Sequence, residues 1–154
     1  MTCCRIVVGS PLGPLSLTAS EDALTGVAFG GAGEAGASSP VLEQAARELE
    51  EYFAGVRREF TVPLAPEGTE FQRLVWAELR KIPYGTTATY GDVAARIGKP
   101  KAAVAVGQAN SRNPIPIIIP CHRVIGSGGK LVGYTGGLHI KKMLLEVEGI
   151  RWKA

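Results

Sequence analysis

The chain has 154 residues, of which 45% are hydrophobic, and a formal net charge of +3 at pH 7. This length can bury a core that is divided between two small lobes. No apolar run approaches the roughly 20 residues that span a membrane, and the N-terminus has no signal-peptide pattern, so we expect no membrane partner and a cytoplasmic location. The three cysteines are an odd count and two of them, Cys3 and Cys4, are adjacent, which argues against a disulfide framework.

The charge is distributed unevenly between the two halves of the chain. Residues 1–68 carry 4 basic and 9 acidic side chains, whereas residues 69–154 carry 13 basic and 5 acidic ones. Such an asymmetry favours a polyanionic partner for the second half only, although an ordinary solvated surface can have the same composition. The turn-forming stretch Ala-Pro-Glu-Gly at 65–68 predicts a linker between two domains.

The first half has the pattern of short strands and one helix. Ser39 is the predicted N-cap of the helix, with Pro40 at the first helical position and Gly55 beyond its end. Cys3 and Cys4 could bind a metal, but the only two histidines lie far away in the sequence, so ordinary cysteines are the simpler interpretation. Strands that would form a small antiparallel sheet are predicted at residues 3–8, 15–19, 26–29 and 59–63.

Two short helices are predicted in the second half, on either side of a glycine-containing turn. Thr89 is the expected N-cap of a helix over residues 90–97. Pro100 is expected to start a second helix that ends near residue 110. This arrangement is typical of a helix-turn-helix.

Longer helices are predicted before and after this motif. Thr69 and Gln72 form a capping-box pattern, with an apolar face that reaches Ile82. A last helix is predicted over residues 138–148 and ends at Gly149. The sequence therefore predicts an α/β (α+β) fold: a small N-terminal antiparallel-sheet lobe with a helix, followed by a mainly helical, winged-helix-like lobe that contains the helix-turn-helix.

The second helix of the helix-turn-helix consists mostly of small side chains, since residues 102–107 read Ala-Ala-Val-Ala-Val-Gly. A helix that reads base edges needs side chains such as Arg, Asn or Gln, and only Gln108 and Asn110 qualify. Small residues let the backbone come close to a nucleic-acid groove or to another helix. The spacing alone does not separate these two interpretations.

Residues 113–124, Asn-Pro-Ile-Pro-Ile-Ile-Ile-Pro-Cys-His-Arg-Val, carry the strongest chemical signal. Three consecutive isoleucines favour a buried extended segment, while the prolines remove the donors that a full strand ladder needs. We therefore predict a stiff buried rod that presents Cys121 beside His122. A thiol next to an imidazole base is a candidate nucleophile. Arg123 is expected to pair with a nearby carboxylate or carbonyl.

Several short motifs surround this cysteine in a fixed order. Pro-Cys-His-Arg at 120–123 is preceded by Asn-Pro at 113–114 and followed by Gly-Tyr at 133–134 and Gly-Gly-Leu at 136–138. This set resembles the active-site signature of the O6-alkylguanine-DNA alkyltransferases, and the resemblance extends from about residue 69 to residue 149. It implies a DNA repair protein that transfers an alkyl (methyl) group from guanine O6 in double-stranded DNA irreversibly to its own cysteine.

The resemblance also implies that the two parts of the chain have different functions. We expect residues 1–66 to form a supporting lobe and residues 67–154 to bind DNA and carry out the transfer. The reaction calls for no metal and no organic cofactor. We expect the protein to act as a monomer.

The resemblance assigns catalytic roles to Cys121, His122, Glu148, Tyr90 and Asn113. Glu148 is expected to orient His122, which takes the proton of Cys121 through a water because sequence neighbours cannot easily form a well-aligned bond. Tyr90 would donate a proton to the leaving guanine, and Asn113 would brace the turn before the site. Without the resemblance, a core-packed Tyr90 and a surface Glu148 explain the sequence equally well.

The binding residues follow from the same resemblance. Tyr134 and Thr135, in a glycine-rich loop, and Pro116 are expected to bind the flipped base. The helix near residues 100–110 is expected to lie in the minor groove with little sequence preference. The residues expected to contact DNA are Ala103, Val104, Ala105, Gly107, Arg112, Lys101 and Arg96, with Lys99 as a further phosphate contact.

Val104 is a departure from the family pattern. The family has Lys-Ala-Ala-Arg-Ala-Val-Gly, whose arginine fills the space of the flipped base, and this chain has valine in place of that arginine. Valine is short, and its branched Cβ keeps the side chain close to the helix. We therefore expect a slower reaction on duplex DNA, unless Asn110 or Arg112 compensates.

Two other functions fit part of the sequence. A non-catalytic protein that binds alkylguanine and flags the damage for other repair factors needs no nucleophile, yet Cys121 is present. A cysteine hydrolase needs an oxyanion hole and a separate histidine. Only His139, expected on the solvent-facing side of the last helix, would be left for that role. Alkyl transfer is the function that the sequence favours.

Overall fold

The structure, a computed structural model, describes residues 4–31, 36–129, 131, 134 and 137–151. The chain forms two compact units, Met1–Glu67 and Gly68–Ala154. The mixed α/β fold class predicted from the sequence is confirmed, with an antiparallel sheet in the first unit and mostly helices in the second.

The first unit is built on a three-stranded antiparallel sheet. Its strands are β1 (Cys4–Val8), β2 (Leu15–Ala19) and β3 (Leu24–Phe29), in the order β1-β2-β3. Leu17 of the central strand lies opposite Ile6 and Val27 and is fully buried. The alternation of apolar residues in the sequence thus predicted these three strands to within two residues at each end.

Helix α1 (Pro40–Phe53) packs against this sheet. The Ser39 side chain accepts a hydrogen bond from the backbone N–H of Leu42, and proline occupies the first helical turn, as predicted. Leu42, Leu49 and Tyr52 are buried on the face that meets the sheet. This is the ordinary packing of an amphipathic helix on a half-buried sheet.

The strand predicted at residues 59–63 is wrong. The buried carboxylate of Glu48 accepts hydrogen bonds from the backbone N–H groups of Thr61 and Val62, at 2.9 and 3.1 Å. A side chain therefore takes the donors that a strand would give to its neighbour. Within the described part of this unit, a single parallel bridge between Leu24 and Leu64 joins the segment to the sheet.

Two expectations about the whole chain can be compared with the structure. Cys4 is disulfide-bonded, which the sequence argument against a disulfide framework did not predict. An odd number of cysteines means that they cannot all be paired, but it does not exclude a single disulfide. None of the helices in the described ranges is long and apolar enough to cross a membrane.

The second unit begins with helix α2 (Glu70–Leu79). Its capping box is present as predicted: the Thr69 hydroxyl accepts from the N–H of Gln72, whose side chain accepts from the N–H of Thr69. The helix ends at Leu79, before Ile82, which is nevertheless buried. The indole N–H of Trp76 donates to the carbonyl of Ala109 at 2.8 Å and so ties α2 to a later helix.

The predicted helix-turn-helix is formed by α3 (Tyr90–Arg96) and α4 (Ala103–Ser111), which pack on each other and on α2. Thr89 and Asp92 form a second capping box at the start of α3. Helix α4 starts three residues later than predicted. Pro100 lies in a turn, which the N–H of Ala102 closes by donating to the carbonyl of Lys99 at 2.8 Å.

A short parallel pair that the sequence did not predict joins β4 (Ala88–Thr89) to β5 (Val124–Ile125). Strand β4 leads directly into α3, and β5 directly follows a single 3₁₀ turn, Cys121–Arg123. The pair therefore brings the start of α3 next to the cysteine segment. The chain then reaches the last helix, α5 (Leu138–Val147), with Glu148 as its C-cap.

Candidate active site

The segment before Cys121 is a buried turn and not the extended rod that the sequence predicted. The N–H of Ile119 donates to the carbonyl of Ile115 at 2.9 Å, which closes the chain into a turn. Ile117 has φ +75°, a left-handed conformation that is rare for a β-branched residue. The prediction of burial is confirmed, since Ile115, Ile117, Ile118 and Ile119 are all at most 4% exposed.

Asn113 explains why this apolar segment turns. Its side-chain oxygen accepts from the N–H of Ile115 at 2.9 Å, and its amide nitrogen donates to the carbonyl of Ile119 at 2.8 Å. One buried side chain thus holds both ends of the turn and satisfies backbone groups that the prolines leave without strand partners. Asn113 braces the segment before the cysteine, as expected.

Cys121 is a buried free thiol at the start of the 3₁₀ turn. Burial raises the pKa of this thiol, while hydrogen bonds with the side chains of Asn113 and Tyr134 and the charge of Lys141 act in the opposite direction. The net effect is a raised pKa. The resting side chain is therefore a neutral thiol, which needs a base before it can act as a nucleophile.

His122 and Glu148 form a buried pair. The Nε2 atom of His122 lies 2.6 Å from Oε2 of Glu148, and both side chains are completely buried. Because a carboxylate only accepts, this bond favours the tautomer with the proton on Nε2. Burial lowers the pKa of His122, although the bond with Glu148 raises it, and the ring is therefore neutral at neutral pH.

The other ring nitrogen of His122 faces the protein interior. Nδ1 is buried and has no hydrogen-bond partner among the residues that the structure describes. In the neutral tautomer this nitrogen carries a lone pair and can accept a proton. The geometry thus places an available base on the residue next to Cys121.

Glu148 is held by more than the histidine. Its Oε1 accepts from Nε of Arg123 at 2.8 Å and from the N–H of Gly85 at 3.0 Å. A second nitrogen of Arg123 donates to Oε2 at 3.1 Å, which makes the pair bidentate. Arg123 also donates to the carbonyl of Ile82 at 2.7 Å, so its expected pairing with a carboxylate or carbonyl is found with both.

Tyr90 is half-buried at the first position of α3. Burial raises the pKa of its phenol, and the charge of Cys121 contributes in the same direction. The phenol therefore stays protonated at neutral pH and can donate. Gly107 of α4 lies behind it, where an added Cβ would be 3.7 Å from the Tyr90 ring.

The residues expected to contact DNA are exposed or half-buried, and none of them belongs to the buried face of α4. Val106, Ala109 and Asn110 are buried and form the inner face of α4. Packing against the neighbouring helices therefore explains part of its small-residue composition. The exposed residues of this motif include Val104, with 78% of its surface exposed, and the basic residues Arg96, Lys99, Lys101 and Arg112. Three residues of α4 are half-buried: Ala103, Ala105 and Gly107.

The three residues expected to bind the flipped base differ from one another in where they lie. Pro116 is buried within the turn that Asn113 closes. Tyr134 is half-exposed and contributes a hydrogen bond that lowers the pKa of Cys121. Thr135 lies outside the described residues. The expectation that His139 faces solvent is confirmed by its exposure on α5.

Lys141 is a functional candidate that sequence reasoning missed. It is completely buried on α5, and its Nζ donates to the carbonyl of Val124 at 2.6 Å. Burial lowers its pKa to about 8, with the charge of Cys121 acting in the opposite direction. The signal was present: residue 141 shares a helical face with Leu144, Leu145 and Glu148, which is an unusual place for a lysine.

The chain matches both domains of one protein family. Residues 70–150 match the DNA-binding domain of the 6-O-methylguanine DNA methyltransferases, and residues 5–66 match the ribonuclease-like domain of the same family. A methylated-DNA–protein-cysteine methyltransferase of Methanosarcina acetivorans is 53% identical over 148 residues, which cover 91% of this chain and 94% of that protein.

Solved structures of O6-methylguanine methyltransferases are also similar to this chain. A crystal structure of a variant of OGT from Mycobacterium tuberculosis is 44% identical and covers 100% of this chain and 96% of its own, with a TM-score of 0.88. OGT from the same organism in complex with DNA is 46% identical, covers 92% of this chain and 90% of its own, and has a TM-score of 0.85. This chain, with a buried thiol beside a histidine–glutamate pair and a helix-turn-helix, belongs to the 6-O-methylguanine DNA methyltransferase family.

Proposed function

We propose that Cys121 is the residue that accepts the alkyl group when this methylated-DNA–protein-cysteine methyltransferase repairs O6-alkylguanine in DNA. The observation that carries the proposal is the buried array of Cys121, His122 and Glu148, with 2.6 Å between the last two side chains. Cys121 is the free cysteine of the described chain. Of the described cysteines, it is also the one that adjoins a base.

The thiol is activated through His122. Its Nδ1 atom takes the proton of Cys121 through a bridging water, since the two residues are sequence neighbours and a direct bond would be strained. Glu148 fixes the tautomer that leaves Nδ1 free to accept and stabilises the imidazolium that forms. Arg123 and Gly85 hold the carboxylate in place for this purpose.

The transfer is an in-line displacement at the alkyl carbon. The sulfur of Cys121 forms a bond to this carbon while the bond from the carbon to guanine O6 breaks, and the electron pair of that bond goes to the leaving guanine. Tyr90 donates a proton to this base. The products are a thioether and an unmodified guanine. The thioether has no hydrolytic exit, so each molecule reacts once.

The base must leave the DNA stack to reach a cysteine that is only 1% exposed. Helix α4 is the element proposed to enter the minor groove, with the exposed basic residues around it contacting phosphates. The assignment of this work to residues 67–154, with residues 1–66 as a support, is part of the proposal. Double-stranded DNA is the partner, as it is for the OGT structure solved with DNA. A monomeric state and a cytoplasmic location remain expectations.

The non-catalytic alternative is not favoured by any of these observations. A protein that only binds alkylguanine does not require a nucleophile, a base and an orienting carboxylate in one buried cluster. The hydrolase alternative still requires a second histidine, and His139 is exposed on α5.

Incubation with duplex DNA that carries a labelled methyl group on guanine O6 tests the proposal. We expect one label per protein molecule and no further turnover. The variant Cys121→Ala should bind the same DNA with unchanged affinity and take up no label. Binding without label in the wild-type chain would support the non-catalytic alternative, and repeated turnover would exclude the single-use reaction.

A further inference from the structure

We propose that Lys141 is a positioning residue for the reaction, whose buried positive charge stabilises the Cys121 thiolate as it forms. This inference rests on the function proposed above for Cys121. Lys141 is not part of the proton path through His122. Its role is to lower the free energy of the ionised thiol in a buried site.

The position of Lys141 carries the argument. The side chain is fully buried, although an ammonium group loses a large hydration energy when it is taken out of water. Its Nζ donates to the carbonyl of Val124, three residues after Cys121, at 2.6 Å. Helix α5 packs directly against the turn Cys121–Arg123. The cation is therefore anchored to the same short segment that carries the thiol.

Lys141 and Glu148 are seven residues apart, which places them on one face of α5, two turns from each other. This face presents a cation at one end and a carboxylate at the other to the turn that contains Cys121. Glu148 acts on His122 and Arg123 through the hydrogen bonds described above. One helix thus organises both the base and the charge around the nucleophile.

The sum of the buried charges around Cys121 supports the proposal. Among the described residues of the cluster, Arg123 and Lys141 are cations and Glu148 is an anion, while His122 is neutral. Burial raises the pKa of the nearby phenol of Tyr90, which is therefore neutral at neutral pH. With a neutral thiol the cluster carries one excess positive charge. Ionisation of Cys121 brings the sum to zero.

The interaction must be reciprocal. The charge of Lys141 lowers the pKa of Cys121, and the charge of Cys121 raises the pKa of Lys141. By linkage, the two effects are the same interaction measured from either partner. A thioether cannot carry a negative charge, so alkylation removes the partner charge from Lys141.

The variant Lys141→Met tests the proposal, because methionine has a similar length and no charge. The matched control is Lys142→Met, since Lys142 is the next residue on α5 and is exposed. We expect Lys141→Met to raise the pKa of Cys121 by about one unit, so that transfer at neutral pH slows about tenfold and recovers toward the wild-type rate at high pH. The control should keep the wild-type profile.

A rate that falls equally at every pH, or does not change, would overturn the role of Lys141. A wild-type chain that takes up no label would instead contradict the function itself, so the two failures are distinguishable. A second variant, Lys141→Arg, keeps the positive charge at this position. Its rate-versus-pH profile should lie closer to that of the wild type than the profile of Lys141→Met does, and equally slow transfer by both variants at neutral pH would overturn the proposal.

Discussion

Glu48 in the first unit and Glu148 in the second are both buried carboxylates, and each ties a loop to a helix. Glu48 accepts from the N–H groups of Thr61 and Val62 and from the side chain of Gln44. Burial raises its pKa, but these hydrogen bonds outweigh that effect and the net pKa is lowered. It is a structural anchor that ties the segment containing Thr61 and Val62 to α1.

Glu148 differs from Glu48 in the groups that it holds. Its partners are His122 and Arg123, two side chains that belong to the turn carrying Cys121. In the first unit the partners are amides, a hydroxyl and, at 3.9 Å, the guanidinium of Arg57, none of which changes protonation near neutral pH. A buried carboxylate therefore indicates a reactive site only when its donors titrate and adjoin a nucleophile.

The largest effect on the reaction outside Cys121 should come from Glu148→Gln. We expect transfer at neutral pH to fall by about 10²-fold, because His122 loses its orienting partner and the pKa of Cys121 rises. Arg123 would also lose its counter-charge, at a cost of about 3–5 kcal/mol in stability. The rate is therefore measured against pH, well below the melting temperature. The matched control is Glu146→Gln, which is exposed on the same helix. An unchanged pH profile would leave Glu148 with a structural role like that of Glu48.

Val104→Arg should have the next largest effect, and in the opposite direction. Val104 is 78% exposed on α4 and cannot support the gap that a flipped base leaves. A charged contact there is worth about 1–3 kcal/mol, so we expect repair of duplex DNA to accelerate about tenfold or more, with the reaction of a free alkylguanine base nearly unchanged.

The control for this change is Gln108→Arg, four residues along α4 and also exposed. It adds the same charge to the same helix at a neighbouring point. Equal acceleration by both variants would mean general electrostatic attraction to DNA. No gain from Val104→Arg would mean that another residue fills the gap.

Removal of one phosphate contact should have a moderate effect on DNA binding. Lys99 is exposed in the turn between α3 and α4. Lys99→Gln should reduce the slope of log affinity against log salt by about one and weaken binding to all sequences alike. Arg47→Gln, an exposed change on α1 of the first unit, should leave the slope unchanged. Binding that does not depend on salt would contradict the assignment of a DNA-binding surface to the second unit.

The smallest effect on transfer should come from Glu48→Gln. We expect a loss of about 1–3 kcal/mol in the free energy of unfolding, because the N–H groups of Thr61 and Val62 lose a charged acceptor. Chemical denaturation measures this loss. The rate of transfer per folded molecule should equal that of the wild type. A slower reaction would show that the first unit does more than support the second.

The sequence predicted those elements whose signals are local. The capping box at Thr69 and the N-caps at Thr89 and Ser39 involve residues within one helical turn of each other, so their spacing can be read directly. The alternation in β1 to β3 is likewise local. Cys121 and His122 were predicted from the motif Pro-Cys-His-Arg, and Asn113 and Glu148 were predicted from the family resemblance.

Elements that depend on particular side-chain contacts or on pairing between distant segments were missed or wrong. Isoleucine runs favour extended backbone, yet Asn113 bonds both ends of its segment and makes it turn. The pairing of β4 with β5 spans only two residues on each side, too few for a pattern. The apolar helix face that carries Lys141 indicated its burial, but its hydrogen bond to Val124 depends on how α5 packs and could not be predicted.

The assignment of the nucleophile is tested most directly by the position of the transferred group. After the wild-type chain has reacted with DNA that carries a labelled methyl on guanine O6, digestion and mass spectrometry identify the labelled peptide. We predict that the label is found on Cys121, in an amount equal to that of the protein. Label on Cys3 or Cys4, with Cys121 unmodified, would contradict the account.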